Sequence, residues 1–176
     1  MSNSATVKRV RWLLTAVPLA MCSTISNAAD TSVDALQARM RGAYELQEWH
    51  AADGQVFRPP AIEGRFVILD GSITAIFTDR MKAPTTTTLV AFGKYTLDSQ
   101  RFAYAYDSTS MLTESASGTT VSHKPLWKGL RSFAVSTEDG TLRLRTEGGK
   151  QEFVFTATGV TYSQGGVSRV WRRISE

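Results

Sequence analysis

Residues 65–78 read RFVILDGSITAIFT, a segment in which two apolar runs flank an Asp-Gly pair. Phe66 and Ile68 alternate on one side of the pair, and Ile73 and Phe77 on the other, with the period-two spacing of a strand with one buried face. Asp and Gly both tolerate positive φ, so together they favour a two-residue hairpin turn. The segment therefore predicts two antiparallel strands, 65–69 and 73–78.

The same two-residue period continues on both sides of this hairpin. Further strand-like runs cover residues 43–49, 86–97, 102–108, 131–137, 141–146, 151–158 and 168–174, and Thr161-Tyr162 can start a short extra strand. Asp139-Gly140 predicts a second tight hairpin. A short helix is expected at 31–40 and a polar loop at 113–120.

Successive strands joined by tight turns predict an all-β fold. Eight or nine such strands favour an antiparallel up-and-down barrel that follows the short N-terminal helix, because closure removes exposed sheet edges. A β-sandwich is the alternative, although it needs longer cross-over loops than most of those seen here.

The N-terminus has the pattern of a secretory signal. Lys8 and Arg9 precede the apolar run WLLTAVPLAM at 12–21, and small residues lead up to Ala28. We expect a signal peptide at 1–28, a barrel domain at 29–176, and a periplasmic or secreted protein. The apolar run is half the roughly 20 residues that span a bilayer, so no membrane span is expected. Lipidation at Cys22 is the alternative, but Met21 before it is not small.

Charge and residue types narrow the function classes. Three of the 20 basic residues precede Ala28, so the remaining chain has 17 basic and 16 acidic residues. This near balance of charge gives no indication of a nucleic-acid partner. Cys22 is the only cysteine, and His50 and His123 are the only histidines. These residues form no metal-ligand motif, and no phosphate loop or nucleophile elbow is present. No metal and no cofactor are therefore expected.

Four short segments carry a family resemblance. GAYEL at 42–46 resembles the Gly-x-Trp opening of lipocalin (calycin) barrels, with Tyr44 in the tryptophan position. VWRR at 170–173 resembles their last strand, where an arginine lies over the aromatic residue of the first. GKYTLD at 93–98 and PLWKG at 125–129 resemble segments of bacterial lipocalin-like domains. The resemblance covers about 41–174 and implies an eight-stranded barrel that holds a small apolar molecule, although some relatives are isomerases or cyclases.

Alternation also predicts where a ligand would bind. Glu48 and His50 share a face with Tyr44, which places them at the rim of the barrel. The alternative is that the strand ends before them and both side chains lie in solvent. Trp127 is expected at the mouth or against the outside of the barrel. The predicted ligand-binding residues are Glu48, His50, Phe77, Tyr95, Phe102, Tyr104, Tyr106 and Trp127.

The C-terminal basic residues have a predicted structural role. We expect Arg172 or Arg173 to contact Tyr44, because the first and last strands of a closed barrel are neighbours. Arg169 and the remaining arginine are expected in solvent.

Three functions are compatible with this sequence. The first is an exported binding protein for a small, largely apolar molecule. The second is an isomerase or cyclase on the same barrel that uses a tyrosine with Glu48 or His50. The third is a protein-interaction module. A binder needs an apolar cavity, an enzyme needs convergent titratable groups in that cavity, and an interaction module needs a filled barrel with an exposed apolar patch.

Overall fold

The computed structural model describes residues 32–175. The predicted signal peptide, its cleavage point at Ala28 and Cys22 lie outside these residues. Helix α1 (Val33–Met40) is followed by strands β1 (Gly42–His50), β2 (Val56–Phe57), β3 (Ile62–Leu69), β4 (Ser72–Lys82), β5 (Thr85–Leu97), β6 (Arg101–Ser115), β7 (Gly118–Ser122), β8 (Arg131–Glu138), β9 (Thr141–Arg145), β10 (Gln151–Phe155), β11 (Gly159–Gln164) and β12 (Val167–Ser175).

Ten of the strands form one closed antiparallel barrel. Their order is β1, β3, β4, β5, β6, β8, β9, β10, β11 and β12, and β12 pairs with β1 to close the ring. β2 pairs with the end of β1, and β7 pairs with β6, so both lie outside the ring. The predicted antiparallel barrel is confirmed, because the first and last strands share one sheet.

The predicted number of eight or nine barrel strands is wrong. The run at Thr161-Tyr162, expected as a short extra strand, is the full strand β11, which pairs with both β10 and β12. A side-chain carbon on Gly159 would lie 2.0 Å from the carbonyl oxygen of Trp171, so glycine permits this close pairing. Strand β6 also continues to Ser115 and pairs with β7, where a polar loop was expected.

Both predicted Asp-Gly hairpins are present. Asp70 and Gly71 have φ values of 40° and 81°, and Asp139 and Gly140 have values of 47° and 74°. A turn with positive φ at both central residues matches the twist of the strands that it joins. These two turns therefore fix the register of β3 with β4 and of β8 with β9.

Helix α1 covers one end of the barrel. The Ser32 hydroxyl oxygen accepts the Ala35 N–H at 3.3 Å at the start of the helix, as an N-cap residue does. Leu36 and Met40 are fully buried. Arg39 donates to the carbonyl of Gly140 at 3.2 Å, which ties the helix to the β8–β9 turn.

The barrel interior is densely packed beneath α1. The helix side chains meet a core that includes Tyr44, Leu46, Ile68, Phe102, Phe133, Leu142, Leu144 and Phe155. Such packing excludes a ligand from this half of the barrel. Within residues 32–175, no helix combines the length and apolarity needed to cross a membrane.

Candidate ligand-binding site

The other half of the interior holds a cavity of about 380 Å³. Its walls come from the end of β1, β4 and β11 and from the start of β3, β5, β8 and β12, so it lies at the end away from α1. The lining residues are Trp49, Ile62, Phe66, Ala75, Phe77, Asp79, Thr87, Leu89, Tyr104, Tyr106, Met111, Leu126, Trp127, Arg131, Phe153, Tyr162, Gln164, Arg169 and Trp171. Met111 and Leu126 are 40% and 44% exposed and mark its outer rim.

Two β-bulges decide which side chains reach this cavity. The register of β1 with β12 shifts between Leu46 and Glu48, so Gln47 is the extra residue. The register of β5 with β6 shifts opposite Gly93, so Asp107 is the extra residue there. A bulge moves every later side chain to the opposite face. Trp49 and Met111 therefore face the cavity.

Aromatic rings form one wall of the cavity. The ring of Phe77 lies 5.3 Å from Trp171 and 5.9 Å from Trp49, both in edge-on geometry. The preference of aromatic rings for such arrangements stabilises the wall. The result is an apolar surface on which a flat or branched apolar molecule can pack.

Trp127 forms a second aromatic cluster in the segment between β7 and β8. Its indole lies 5.0 Å from the ring of Tyr106 and 5.5 Å from that of Tyr104. The guanidinium of Arg131 lies 3.6 Å from the centre of the same indole. These contacts hold Trp127 against the barrel, where it lines the cavity.

Arg169 is the first of two cations that line the cavity. It lies opposite Trp49 in the β1–β12 register, and its guanidinium carbon is 4.0 Å from the centre of that indole. The rings of Phe77 and Tyr162 lie 5.4 Å and 5.3 Å away. Its Nε is shielded from solvent and has no hydrogen-bond partner among the described residues. Burial lowers the pKa of the Arg169 guanidinium.

Arg131 is the second cation. Its Nη1 donates to Gln151 Oε1 and to the Tyr162 hydroxyl oxygen, both at 3.4 Å. The Tyr162 hydroxyl lies 2.8 Å from Gln164 Oε1 and 3.2 Å from Gln151 Oε1. Its single proton can be donated to either of these two oxygens. Tyr162 therefore lies between the two arginines, with its ring near Arg169 and its hydroxyl near Arg131.

The cavity tyrosines are neutral at physiological pH. Burial raises the pKa values of Tyr104, Tyr106 and Tyr162 above the ordinary value of 10. A neutral phenol keeps its proton and can donate a hydrogen bond. Asp79 is the one acidic residue among the described residues that line the cavity, and its Oδ1 accepts the Met81 backbone N–H at 2.8 Å.

Four of the residues predicted to bind a ligand lie together in the lining. They are Phe77, Tyr104, Tyr106 and Trp127. Phe77 comes from β4, the two tyrosines come from β6, and Trp127 comes from the segment before β8.

Glu48 and His50 lie outside the cavity lining, on the far side of the Gln47 bulge. Glu48 Oε2 is 2.8 Å from His50 Nε2, and Glu48 Oε1 accepts from Arg58 Nε at 3.0 Å. The hydrogen bond from Arg58 lowers the pKa of Glu48. These polar groups satisfy one another at the end of β1 and do not converge with the cavity tyrosines.

Tyr95 and Phe102 belong to the packed half of the barrel. Their exposed fractions are 8% and 1%, and their ring centres are 5.5 Å apart. The Tyr95 hydroxyl is buried without a hydrogen-bond partner among the described residues. Phe102 packs under the lining residues Tyr104 and Phe153, and neither Tyr95 nor Phe102 is part of the lining.

Sequence reasoning missed the two arginines and Trp49. Arg131 precedes Phe133 and Val135 on the inward face, so plain alternation could have placed it inside. Arg169 was expected in solvent, but it shares a face with Trp171, which is 4% exposed. Trp49 carried no such signal, because an unmarked bulge reverses the alternation just before it.

No metal centre is visible in the described part of the chain. Residues 32–175 contain no group of three or more His, Cys, Asp or Glu side chains that could hold a metal ion. The polar groups that line the cavity include two guanidiniums and three phenols, together with the side chains of Asp79, Thr87 and Gln164.

Comparisons with known proteins give one structural match. No protein-family model and no curated protein matches this sequence. Among solved structures, the chain is similar to a lipocalin-like protein from Bacteroides uniformis ATCC 8492. The two share 18% identity over 77% of this chain and 99% of that chain, with a TM-score of 0.34. The fold assignment itself rests on the pairing of the strands into a closed antiparallel barrel, which has ten strands where the lipocalin resemblance implies eight.

Proposed function

We propose that this protein binds a small, largely apolar molecule inside the barrel. The cavity of about 380 Å³ is the observation that supports this most directly. Ligand pockets usually occupy about 300–1,000 Å³ and combine apolar walls with a few placed polar groups. The cavity has this composition, with Trp49, Phe77 and Trp171 on its wall and arginines and tyrosines as the polar groups.

The geometry favours a binder over the two alternatives. An isomerase built on Glu48 or His50 requires these groups to meet a cavity tyrosine. Glu48 instead bonds to Arg58 and to His50 outside the cavity lining. An interaction module requires a filled barrel, whereas only the half beneath α1 is filled. The cavity therefore supports small-molecule binding best.

A neutral apolar dye tests this function. All three tryptophans of the described residues, Trp49, Trp127 and Trp171, line the cavity, so energy transfer from them reports a ligand inside it. We expect N-phenyl-1-naphthylamine to bind saturably, gain fluorescence and quench tryptophan emission. Tyr104→Ala should weaken binding, while Tyr104→Phe, which keeps the ring, should bind as the wild type does. A dye that neither saturates nor quenches tryptophan would contradict the function.

We further propose that the protein acts outside the cytoplasm after loss of residues 1–28. Lys8, Arg9, the apolar run at 12–21 and the small residues before Ala28 support this proposal. Intact mass of the protein recovered from the periplasm or the medium tests it. A mass that retains residues 1–28 contradicts export by cleavage, and a chain that begins at a lipidated Cys22 establishes the lipoprotein alternative.

A further inference from the structure

The arginines of the described residues differ in their surroundings. Seven of them form ion pairs with carboxylates, as Arg58 does with Glu48 and Arg172 does with Glu45. Arg173 faces inward but donates to the Tyr44 hydroxyl and the Arg39 carbonyl. Arg131 and Arg169 differ from all of these, because they line the cavity and neither forms an ion pair with a carboxylate of the described residues.

The position of Arg169 is unfavourable for a cation without a countercharge. Its contacts are three aromatic rings, and its shielded Nε has no acceptor among the described residues. Cation–π contacts offset part of the lost hydration. They leave the Nε–H donor unsatisfied, and an unsatisfied buried donor is costly.

Arg131 adds a second positive charge to the same site. Tyr162 contacts both arginines, through its ring to Arg169 and its hydroxyl to Arg131. The two hydrogen bonds from Arg131 Nη1 are long, at 3.4 Å each, and its other N–H groups face no carboxylate of the described residues. Two like charges in a poorly hydrated space repel, and a bound anion removes that repulsion while accepting hydrogen bonds from both.

The single acid in the lining does not fill this role. Asp79 lies at the end of β4 and is engaged by the Met81 N–H, and it forms no ion pair with Arg131 or Arg169. The tyrosines near the pair stay protonated, so they contribute donors and no negative charge. The site therefore has an excess of positive charge and of hydrogen-bond donors.

We infer that Arg131 and Arg169 form a head-group subsite, and that the ligand is an amphipathic oxyanion with an apolar body and one carboxylate or phosphate group. The apolar body packs against Phe77, Trp49 and Trp171, and the oxyanion accepts hydrogen bonds from the two guanidiniums. This inference rests on the proposed function and names the class of ligand that the cavity takes.

Competition among three ligands of one shape tests the inference. Naphthalene-2-carboxylate, naphthalene-2-carboxamide and 2-naphthyl phosphate are each titrated against protein saturated with N-phenyl-1-naphthylamine, which is neutral. The carboxylate or the phosphate should displace the dye at a concentration about tenfold or more below that of the amide, since charge-assisted hydrogen bonds are the stronger ones. The better of the two anions identifies the head group.

Arginine variants test whether Arg131 and Arg169 cause the preference for the anion over the amide. Arg169→Met and Arg131→Met keep most of the apolar stem and should reduce the preference for the anion to about threefold or less. The preference is the ratio of anion affinity to amide affinity within one variant, each calculated with the dye dissociation constant of that variant, so a general change in dye affinity does not alter it. Arg172→Met is the matched control on the same strand, because Arg172 faces outward to Glu45, and it should retain the full preference.

The outcomes separate the two proposals. Equal displacement by carboxylate, phosphate and amide in the wild-type protein overturns the anionic subsite and leaves apolar binding intact. Failure of the neutral dye to bind overturns the proposed function itself. An anion preference that survives in both Arg169→Met and Arg131→Met also overturns the subsite, and the wild-type ligand series decides the question if either variant does not fold.

Discussion

Arg173 on the last strand donates a hydrogen bond to the hydroxyl oxygen of Tyr44 on the first strand, with an Nη2–Oη distance of 3.0 Å. The same Tyr44 hydroxyl donates to the carbonyl of Met40 at 2.8 Å, and Arg173 also donates to the carbonyl of Arg39. The predicted contact between Tyr44 and a C-terminal arginine is therefore confirmed, with Arg173 as the partner. It joins β1, β12 and α1 at the packed end of the barrel.

Loss of the Tyr44 hydroxyl should destabilise this junction. Tyr44→Phe leaves the Met40 carbonyl without its donor and removes one acceptor of Arg173, at a cost of about 1–3 kcal/mol. Tyr44→Ala also removes a fully buried ring and should cost about 3 kcal/mol or more. Urea denaturation measures both free energies of unfolding. The control Arg172→Ala breaks an exposed ion pair and should cost about 1 kcal/mol or less. A cost for Tyr44→Phe no larger than this control would contradict the role of the junction.

Gly93, the one glycine in strands β5 and β6, should tolerate substitution poorly. A Cβ atom there would lie 1.9 Å from the carbonyl oxygen of Ala105 and 2.7 Å from the Cα of Tyr106, because the bulge at Asp107 brings β6 close. Gly93→Ala must displace this backbone and should cost about 3 kcal/mol or more, beyond ordinary overpacking.

Gly64→Ala provides the comparison for Gly93→Ala. Its added Cβ would meet its nearest neighbours at 3.1 Å, on the Trp171 ring and the Ile76 carbonyl, so small shifts should accommodate it. Thermal denaturation of both variants measures the difference in stability. Equal melting temperatures for the two would contradict the close approach at the bulge.

Glu152 should make stability depend on acid pH. Burial works against its ionisation, but hydrogen bonds from Arg145 and Arg143, at 2.8 Å and 3.1 Å, lower the pKa of this carboxyl below 4.5. At pH values above the ordinary glutamate pKa, a carboxyl group whose pKa is lowered in the folded state stabilises the fold. This stabilisation is lost as the pH falls through the folded-state pKa.

Glu152→Gln measures this contribution. The variant should be less stable than the wild type at neutral pH, by about 1 kcal/mol or less because solvent screens the group. At about pH 3 the difference should shrink, since the wild-type carboxyl then takes up its proton. Denaturation at both pH values tests this, with Glu114→Gln at an exposed position as the control. A difference that does not change with pH would show that Glu152 acts through packing.

The sequence allowed the barrel to be predicted for local physical reasons. The two Asp-Gly turns require backbone conformations that few other pairs adopt, and alternation on either side of each turn marks the inward face of β3, β4, β8 and β9. These signals depend on neighbouring residues, so they need no knowledge of the whole fold.

The site was harder to predict because it depends on departures from regular alternation. The bulges at Gln47 and Asp107 carry no glycine or proline, yet each moves the following residues to the other face of the strand. Glu48 and His50 were therefore predicted at the rim of the cavity in place of Trp49. Arg169 was assigned to solvent because arginines usually lie there, and only the pairing of β12 with β1 places it inside.

Blocking the cavity is a direct test of whether a small molecule binds inside the barrel. Ala75 lines the cavity and is 4% exposed, whereas Ala134 is exposed on the outer face of β8. Ala75→Phe should fill the cavity, at a cost of about 1–3 kcal/mol in stability. Leu89→Trp fills it from another wall and serves if Ala75→Phe does not fold. The matched control Ala134→Phe adds the same ring outside.

The deciding measurement is the dissociation constant of N-phenyl-1-naphthylamine for these variants and the wild type. We expect Ala75→Phe and Leu89→Trp to weaken binding by about tenfold or more, an energy of about 1.4 kcal/mol, and Ala134→Phe to bind as the wild type does. Unchanged dissociation constants in folded Ala75→Phe and Leu89→Trp would place the ligand outside the barrel and refute binding in the cavity.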